Sequence, residues 1–140
     1  SEGWNILVVD DEPPIRAELR YLLERMRVGQ IAEAGNVTEA VESILSNKPD
    51  VLFFDITMPG RSGIELAETL QNLKTPPVVV FVTAFAEYAA DAKLDAVDYV
   101  VKPVEDARLS KALDKIEAAL GVRRVIHAPR QPLRLTVDRG

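Results

Sequence analysis

Ile6-Leu-Val-Val-Asp-Asp-Glu-Pro-Pro14 decides how this chain is read: four apolar residues, three acids, then two prolines ahead of a helical repeat. A short continuous apolar run fits a strand buried on both faces, as in a parallel sheet covered by helices. Pro14 suits the first turn of a helix, where a backbone N–H has no intrahelical partner to lose. Beyond it Ile15, Leu19, Leu22, Leu23 and Met26 recur on one helix face. The opening unit is therefore strand, acidic turn, helix.

The rest of the chain repeats that unit. Val51-Leu-Phe-Phe54 and Val78-Val-Val-Phe-Val82 are further apolar runs, and Ile31-Ala-Glu-Ala34 and Tyr99-Val-Val101 are weaker ones. Between them Val37, Ala40, Val41, Ile44 and Leu45 mark a helix, with Asn36 and Glu39 in N-cap and N3 positions. Ser62 and Glu65 offer a second capping box ahead of Ile64, Ala67, Leu70 and Leu73. Residues 86–94 are alanine-rich and weakly amphipathic, while Leu109, Ala112, Leu113, Ile116 and Leu120 form the clearest stripe. Five β-α units predict an α/β domain with a parallel sheet. Right-handed crossovers favour a doubly wound, flavodoxin-like, five-stranded sheet in the order 2-1-3-4-5 with helices on both faces.

Composition narrows the chemistry. The 140 residues suit one domain, and the absence of cysteine excludes disulfides and thiolate metal sites. One histidine, His127, excludes a histidine-based zinc cluster. No apolar run approaches the roughly 20 residues that span a bilayer, and no signal-peptide pattern opens the chain, so a cytoplasmic protein without membrane contact is expected. Residues 1–120 carry 12 basic and 21 acidic side chains, an unpromising surface for nucleic acid. Residues 121–140 reverse the balance with Arg123, Arg124, Arg130, Arg134 and Arg139 against Asp138. The expected organisation is a domain over 4–121, a proline-containing linker over 122–132, and over 133–140 the first strand of a further domain. DNA contact would belong to that further domain.

The residues that can carry chemistry all stand where a predicted strand ends: Asp10, Asp11 and Glu12, then Asp55, Thr83 and Lys102. In a doubly wound sheet that edge is where ligands bind. Two carboxylates about 4 Å apart repel by roughly 1–4 kcal/mol, so Asp10, Asp11 and Asp55 together demand a cation or raise one another's pKa. An all-oxygen donor set of this kind suits Mg²⁺. Lys102 supplies a positive charge for a phosphoryl oxygen and Thr83 a hydroxyl donor. Asp55 is then a carboxylate placed to act as a nucleophile.

Val8-Val-Asp-Asp-Glu-Pro13, Phe54-Asp-Ile-Thr-Met-Pro-Gly60 with Gly63, Val82-Thr-Ala84 and Asp98-Tyr-Val-Val-Lys-Pro103 together resemble the receiver domain of bacterial two-component response regulators. The resemblance spans residues 4–121. It implies Asp55 as phosphoacceptor, with Mg²⁺ held by Asp10, Asp11, Asp55 and the Thr57 backbone carbonyl. It further implies that Lys102 pairs with the phosphate, that Lys102–Pro103 is cis, and that Thr83 and Tyr99 form the switch. The implied partners are a sensor histidine kinase and a second copy of the chain, docked through the face of the last two helices, Tyr88 to Leu120. Thr83 to Pro103, with Phe85-Ala-Glu-Tyr88, is similar to receivers joined to LytTR-type DNA-binding domains, and Leu133-Arg-Leu-Thr-Val-Asp-Arg-Gly140 resembles the first strand of such a domain. Lys93 departs from the apolar residue often found there in those relatives.

Singly, each signal has an ordinary reading: the acids as a helix cap, Thr83 as a strand residue, Lys-Pro as punctuation. Their joint placement is what points to phosphoryl chemistry. A haloacid-dehalogenase-type phosphatase would place an acid two residues past the nucleophile, where Thr57 stands, so no enzyme acting on external substrates is expected. A flavodoxin-like nucleotide carrier would need a glycine-rich loop where Asp11-Glu-Pro-Pro14 stands. A phosphorylation-independent pseudo-receiver would lack one of the acids or Lys102.

Overall fold

A computed structural model describes residues 3–55, 66, 70, 72–84 and 96–127, with side chains through residue 122. The elements are β1 (Trp4–Val9), α1 (Pro13–Arg25), β2 (Gly29–Ala34), α2 (Val37–Asn47), β3 (Val51–Phe54), β4 (Val78–Thr83), β5 (Asp98–Val101) and α3 (Asp106–His127). All four strand pairings are parallel, and the sheet runs β2-β1-β3-β4-β5 as expected.

Alternation along the strands divides the core in two, because successive side chains point to opposite faces. Ile6, Val8, Phe53, Val80 and Val82 pack with Leu19 and Leu23 of α1 and with Leu109, Ala112 and Ile116 of α3. Leu7, Val9, Leu52, Phe54, Val79 and Phe81 pack with Val37, Ala40 and Ile44 of α2 and with Leu66 and Leu70. Both faces are covered, so β3 and nearly all of β1 and β4, Asn5 and Thr83 apart, can be apolar. The expected doubly wound architecture is the one observed.

Local sequence accounts for the element ends. Pro13 and Pro14 open α1. Asn36 caps α2, its side chain accepting from the Glu39 N–H at 2.8 Å, while Glu39 reaches back to the Gly35 N–H at 2.7 Å. The reciprocal bond thus lands one residue before the cap. Gly29 begins β2 at φ +149°, and a Cβ there would stand 2.0 Å from the Trp4 carbonyl oxygen, so only glycine fits this close approach.

Three expectations change. Leu45 and Leu73, counted on inward helix faces, are 67% and 40% exposed. Leu45 lies at the rim of the α2 stripe, and Leu73 falls in the turn after Leu70 rather than in a helix. The third concerns the C-terminal boundary: α3 continues through Gly121 to His127, so residues 122–127 of the expected linker are helical. Gly121 costs a helix only about 1 kcal/mol, and the next breaker is Pro129. The Ser62–Glu65 capping box, the helix over 86–94, residues 128–132 of the linker and the strand over 133–140 lie outside the described residues. Among the described residues no helix is long and apolar enough to cross a membrane.

Candidate functional site

The sheet's register brings the predicted residues to one edge. Val9 pairs with Phe54, Phe54 with Phe81, and Thr83 with Val101, so each of the four strands ends within a residue or two of its neighbour. Backbone bonds carry the ladder past the strand ends: Asp10 N–H to Ala34 O (3.1 Å), Asp55 N–H to Val9 O (3.0 Å) and Lys102 N–H to Thr83 O (2.8 Å). Asp10, Asp55 and Thr83 are buried there, and Asp11 is exposed.

Asp10, Asp11 and Asp55 each offer a carboxylate oxygen within 4.8 Å of the others. Lys102 Nζ donates to Asp10 Oδ2 at 2.7 Å and to Asp55 Oδ2 at 3.0 Å. Burial pushes the Lys102 ammonium down, but the hydrogen bonds it donates to Asp10 and Asp55 outweigh it and hold its pKa above the usual lysine value. One ammonium among three carboxylates leaves a formal excess of two negative charges. Hard oxygen donors with that charge excess fit a divalent cation. The site opens into a cavity of about 510 Å³ whose other wall is apolar, with Ile15, Leu19, Leu22, Val82 and Val104.

Thr83, fully buried, stands at the next strand end beside this cluster. Tyr99 is half-buried, its ring centroid 5.1 Å from that of Phe81. Its hydroxyl is buried without a hydrogen-bond partner among the described residues, and burial raises its pKa. The Lys102–Pro103 peptide is cis, as expected. Thr57, Phe85 and Tyr88 lie outside the described residues.

Three supporting contacts were not anticipated. Asp10 Oδ1 accepts the Glu12 N–H at 2.9 Å, which shapes the turn into α1. Arg16 Nη1 donates to the Asp10 carbonyl oxygen at 2.7 Å, and its Nε to Glu33 Oε1 at 2.8 Å. On the other side Arg108 holds Asp98 with two hydrogen bonds, at 2.8 and 2.7 Å, and the Tyr99 carbonyl at 2.8 Å. A signal for Arg16 was present in the sequence. A cation in the first turn of a helix opposes the helix dipole and calls for an anionic or carbonyl partner.

Residues 6–114 match the model of the response regulator receiver domain. The chain belongs to that family. It is 46% identical over 112 residues to the sensory transduction protein LytT of Bacillus anthracis, a match covering 79% of this chain and 46% of that protein. To the transcriptional regulatory protein LytR of Staphylococcus aureus strain N315 it is 41% identical over 114 residues, 80% of this chain and 46% of the other. The chain thus spans a little under half the length of these relatives. Among solved structures, the response regulator protein TrrA from Thermotoga maritima, in complex with Mg(2+)-BeF, superposes with a TM-score of 0.74 at 35% identity, covering 81% of this receiver and 98% of that chain. The response regulatory domain of MrkE from Klebsiella pneumoniae gives 0.76 at 29% identity, over 84% and 98%. The expected family and its fold are therefore established for this receiver.

Proposed function

We propose that this receiver is a Mg²⁺-dependent phosphoacceptor in which Asp55 takes the phosphoryl group. The observation that carries the reading is the pairing of Lys102 with both Asp10 and Asp55 beside Asp11, at the carboxyl edge of the sheet. Asp10, Asp11, Asp55 and the Thr57 carbonyl would hold the ion, which supplies charge neutralisation for the transferring group. A carboxylate oxygen of Asp55 bonds to phosphorus as the bond from phosphorus to the donor breaks, and the donor leaves with that electron pair. Lys102 then binds a phosphoryl oxygen, and the Thr83 hydroxyl donates to another.

The donor would be a sensor histidine kinase, and the output a population shift. Phosphate on Asp55 would engage Thr83 and Lys102 only in the active arrangement of β4, β5 and the segments that follow them. Moving the balance from 1:99 to 99:1 takes about 5.5 kcal/mol, and two charge-assisted hydrogen bonds of roughly 1.5–3 kcal/mol each supply much of it. Tyr99 would report the state, and a second copy would dock through the face of the last two helices. Control of transcription would pass through a DNA-binding domain beyond residue 132. In this reading the chain catalyses only its own phosphorylation and dephosphorylation, in the cytoplasm.

The test is intact mass after incubation with Mg²⁺ and acetyl phosphate, beside an Asp55→Asn control. A single phosphoryl adduct, lost in the control and without Mg²⁺, supports the assignment. An adduct that persists in Asp55→Asn would move the acceptor elsewhere. No adduct from acetyl phosphate or a kinase, with no Mg²⁺ binding, would leave a phosphorylation-independent interaction module.

A further inference from the structure

Arg16 is placed to act on the acid pair through backbone, by the Asp10 carbonyl oxygen rather than a carboxylate. It stands in the first turn of α1, where the helix dipole disfavours a cation. Its guanidinium spans two anchors: Nη1 on the Asp10 carbonyl oxygen at 2.7 Å and Nε on Glu33 Oε1 at 2.8 Å. Glu33, on β2, is itself gripped from the other side by Arg20 Nη1 at 3.0 Å. The Arg16 side chain is 18% exposed, and its bond to the Asp10 carbonyl is partly buried, whereas that to Glu33 is exposed.

The carbonyl it holds belongs to the peptide that joins Asp10 to Asp11. Its flanks are fixed, on the strand side by the bond from Asp10 N–H to Ala34 O and within the turn by the Glu12 N–H on the Asp10 carboxylate. Arg16 holds the carbonyl oxygen of the peptide itself. A rotation of this peptide would swing Asp10 and Asp11 relative to each other, and a divalent site tolerates little error in ligand aim. Outer partners that orient ligands typically change metal affinity 10- to 100-fold when removed.

We infer that Arg16, pinned by Glu33, is a positioning residue that sets the relative aim of the Asp10 and Asp11 carboxylates for a divalent cation. The inference rests on the cation site proposed above, and its test separates the two.

Mn²⁺ binding to the unphosphorylated protein, followed by the electron paramagnetic resonance signal of free Mn²⁺, reads the site without any phosphoryl chemistry. Arg16→Ala is expected to weaken Mn²⁺ about 10-fold, with far-ultraviolet circular dichroism unchanged. Arg16→Lys keeps one donor for the Asp10 carbonyl and should recover most of that loss. Glu33→Gln removes the pin's charge and should cost about threefold, less than the roughly 10-fold of a direct outer partner because Glu33 acts only through Arg16. Arg25→Gln breaks a comparable ion pair of α1, with Asp106, that does not reach Asp10, and should leave affinity unchanged. Asp11→Asn is the control on the site itself. Wild-type affinity in Asp11→Asn would overturn the cation site and this inference with it. Lost binding in Asp11→Asn beside wild-type binding in a folded Arg16→Ala would overturn the inference alone. Should Arg16→Ala not fold, wild-type affinity in Glu33→Gln would overturn it.

Discussion

Replacing Lys102 by methionine keeps the volume of the side chain and removes its charge from between Asp10 and Asp55. At an effective dielectric constant near 20, the contacts of 2.7 and 3.0 Å are each worth about 5–6 kcal/mol of gross attraction. Desolvation offsets much of that, since moving an ammonium and two carboxylates out of water costs several kcal/mol per ion. The substitution removes the attraction and leaves the acids behind, buried and within 4.8 Å of each other, where they repel by about 3 kcal/mol. Breaking a buried pair from one side typically costs 3–5 kcal/mol, so Lys102→Met is expected to lose about 3–4 kcal/mol at neutral pH in chelator. The sign with pH agrees. The folded-state pKa of Lys102 lies above the ordinary value, so its contribution is whole below that value and is lost only as pH rises through the folded pKa. Urea unfolding in chelator and in about 10 mM Mg²⁺ measures both halves of the argument, since ligand stabilisation reaches about 2.7 kcal/mol at 100 times Kd. The ion should stabilise the variant more than the parent, because the ammonium no longer competes for the same carboxylates. Equal stability of variant and parent in chelator would refute the electrostatic reasoning, as would a larger Mg²⁺ effect on the parent.

Other perturbations read other parts of the fold. Asp98 is held by Arg108 and Lys115; burial pushes its carboxyl up, yet the Arg108 hydrogen bonds and its other partners outweigh this and keep its pKa below the usual value. Its contribution is therefore present above the ordinary aspartate pKa and lost as pH falls through the lower folded one. Asp98→Asn should cost about 2 kcal/mol at neutral pH, discounted for the partly exposed Arg108, with the gap to the parent closing in urea melts below about pH 4. Gly29→Ala places a Cβ against the Trp4 carbonyl at a positive φ and should destabilise by about 3 kcal/mol; the sole tryptophan, Trp4, would report the shifted midpoint by fluorescence. Tyr99→Phe removes a buried hydroxyl that has no partner among the described residues, so stability should rise or hold within about 1 kcal/mol, read as a change in the denaturation midpoint.

The interior strands were legible because both their faces are buried, which turns Val51–Phe54 and Val78–Val82 into unbroken apolar runs. The edge strands were less so. β2 begins two residues before its apolar part, at Gly29, and β5 begins at Asp98, because an edge strand tolerates polar and glycine positions. Periodicity misplaced Leu45 and Leu73 since a stripe does not show where its rim meets solvent, and single exposed leucines are ordinary. The acids and Lys102 could be found because a parallel sheet delivers every strand end to one edge. Arg16 could be flagged only as a cation at a helix start; its partner, the Asp10 carbonyl, could not be named, because the contact depends on how α1 crosses the end of β1 and on Glu33 arriving from β2.

That difference bears on how the site would work. Both Asp10 oxygens are engaged, Oδ1 by the Glu12 N–H and Oδ2 by Lys102. A cation taking Asp10 must therefore share with or displace the lysine, whereas the contacts of the turn and of Arg16 are tied to backbone and can persist. Lys102 is built for such an exchange, with a flexible four-carbon stem above a backbone N–H fixed to the Thr83 carbonyl at 2.8 Å. On the proposed reading, drawing its ammonium from Asp10 to a phosphoryl oxygen on Asp55 pulls on the junction of β4 and β5. Tyr99 lies three residues upstream on β5, its carbonyl bound by Arg108 of α3. One relocated ammonium would thus act on β4, β5 and α3 together, the elements through which the output was proposed to run.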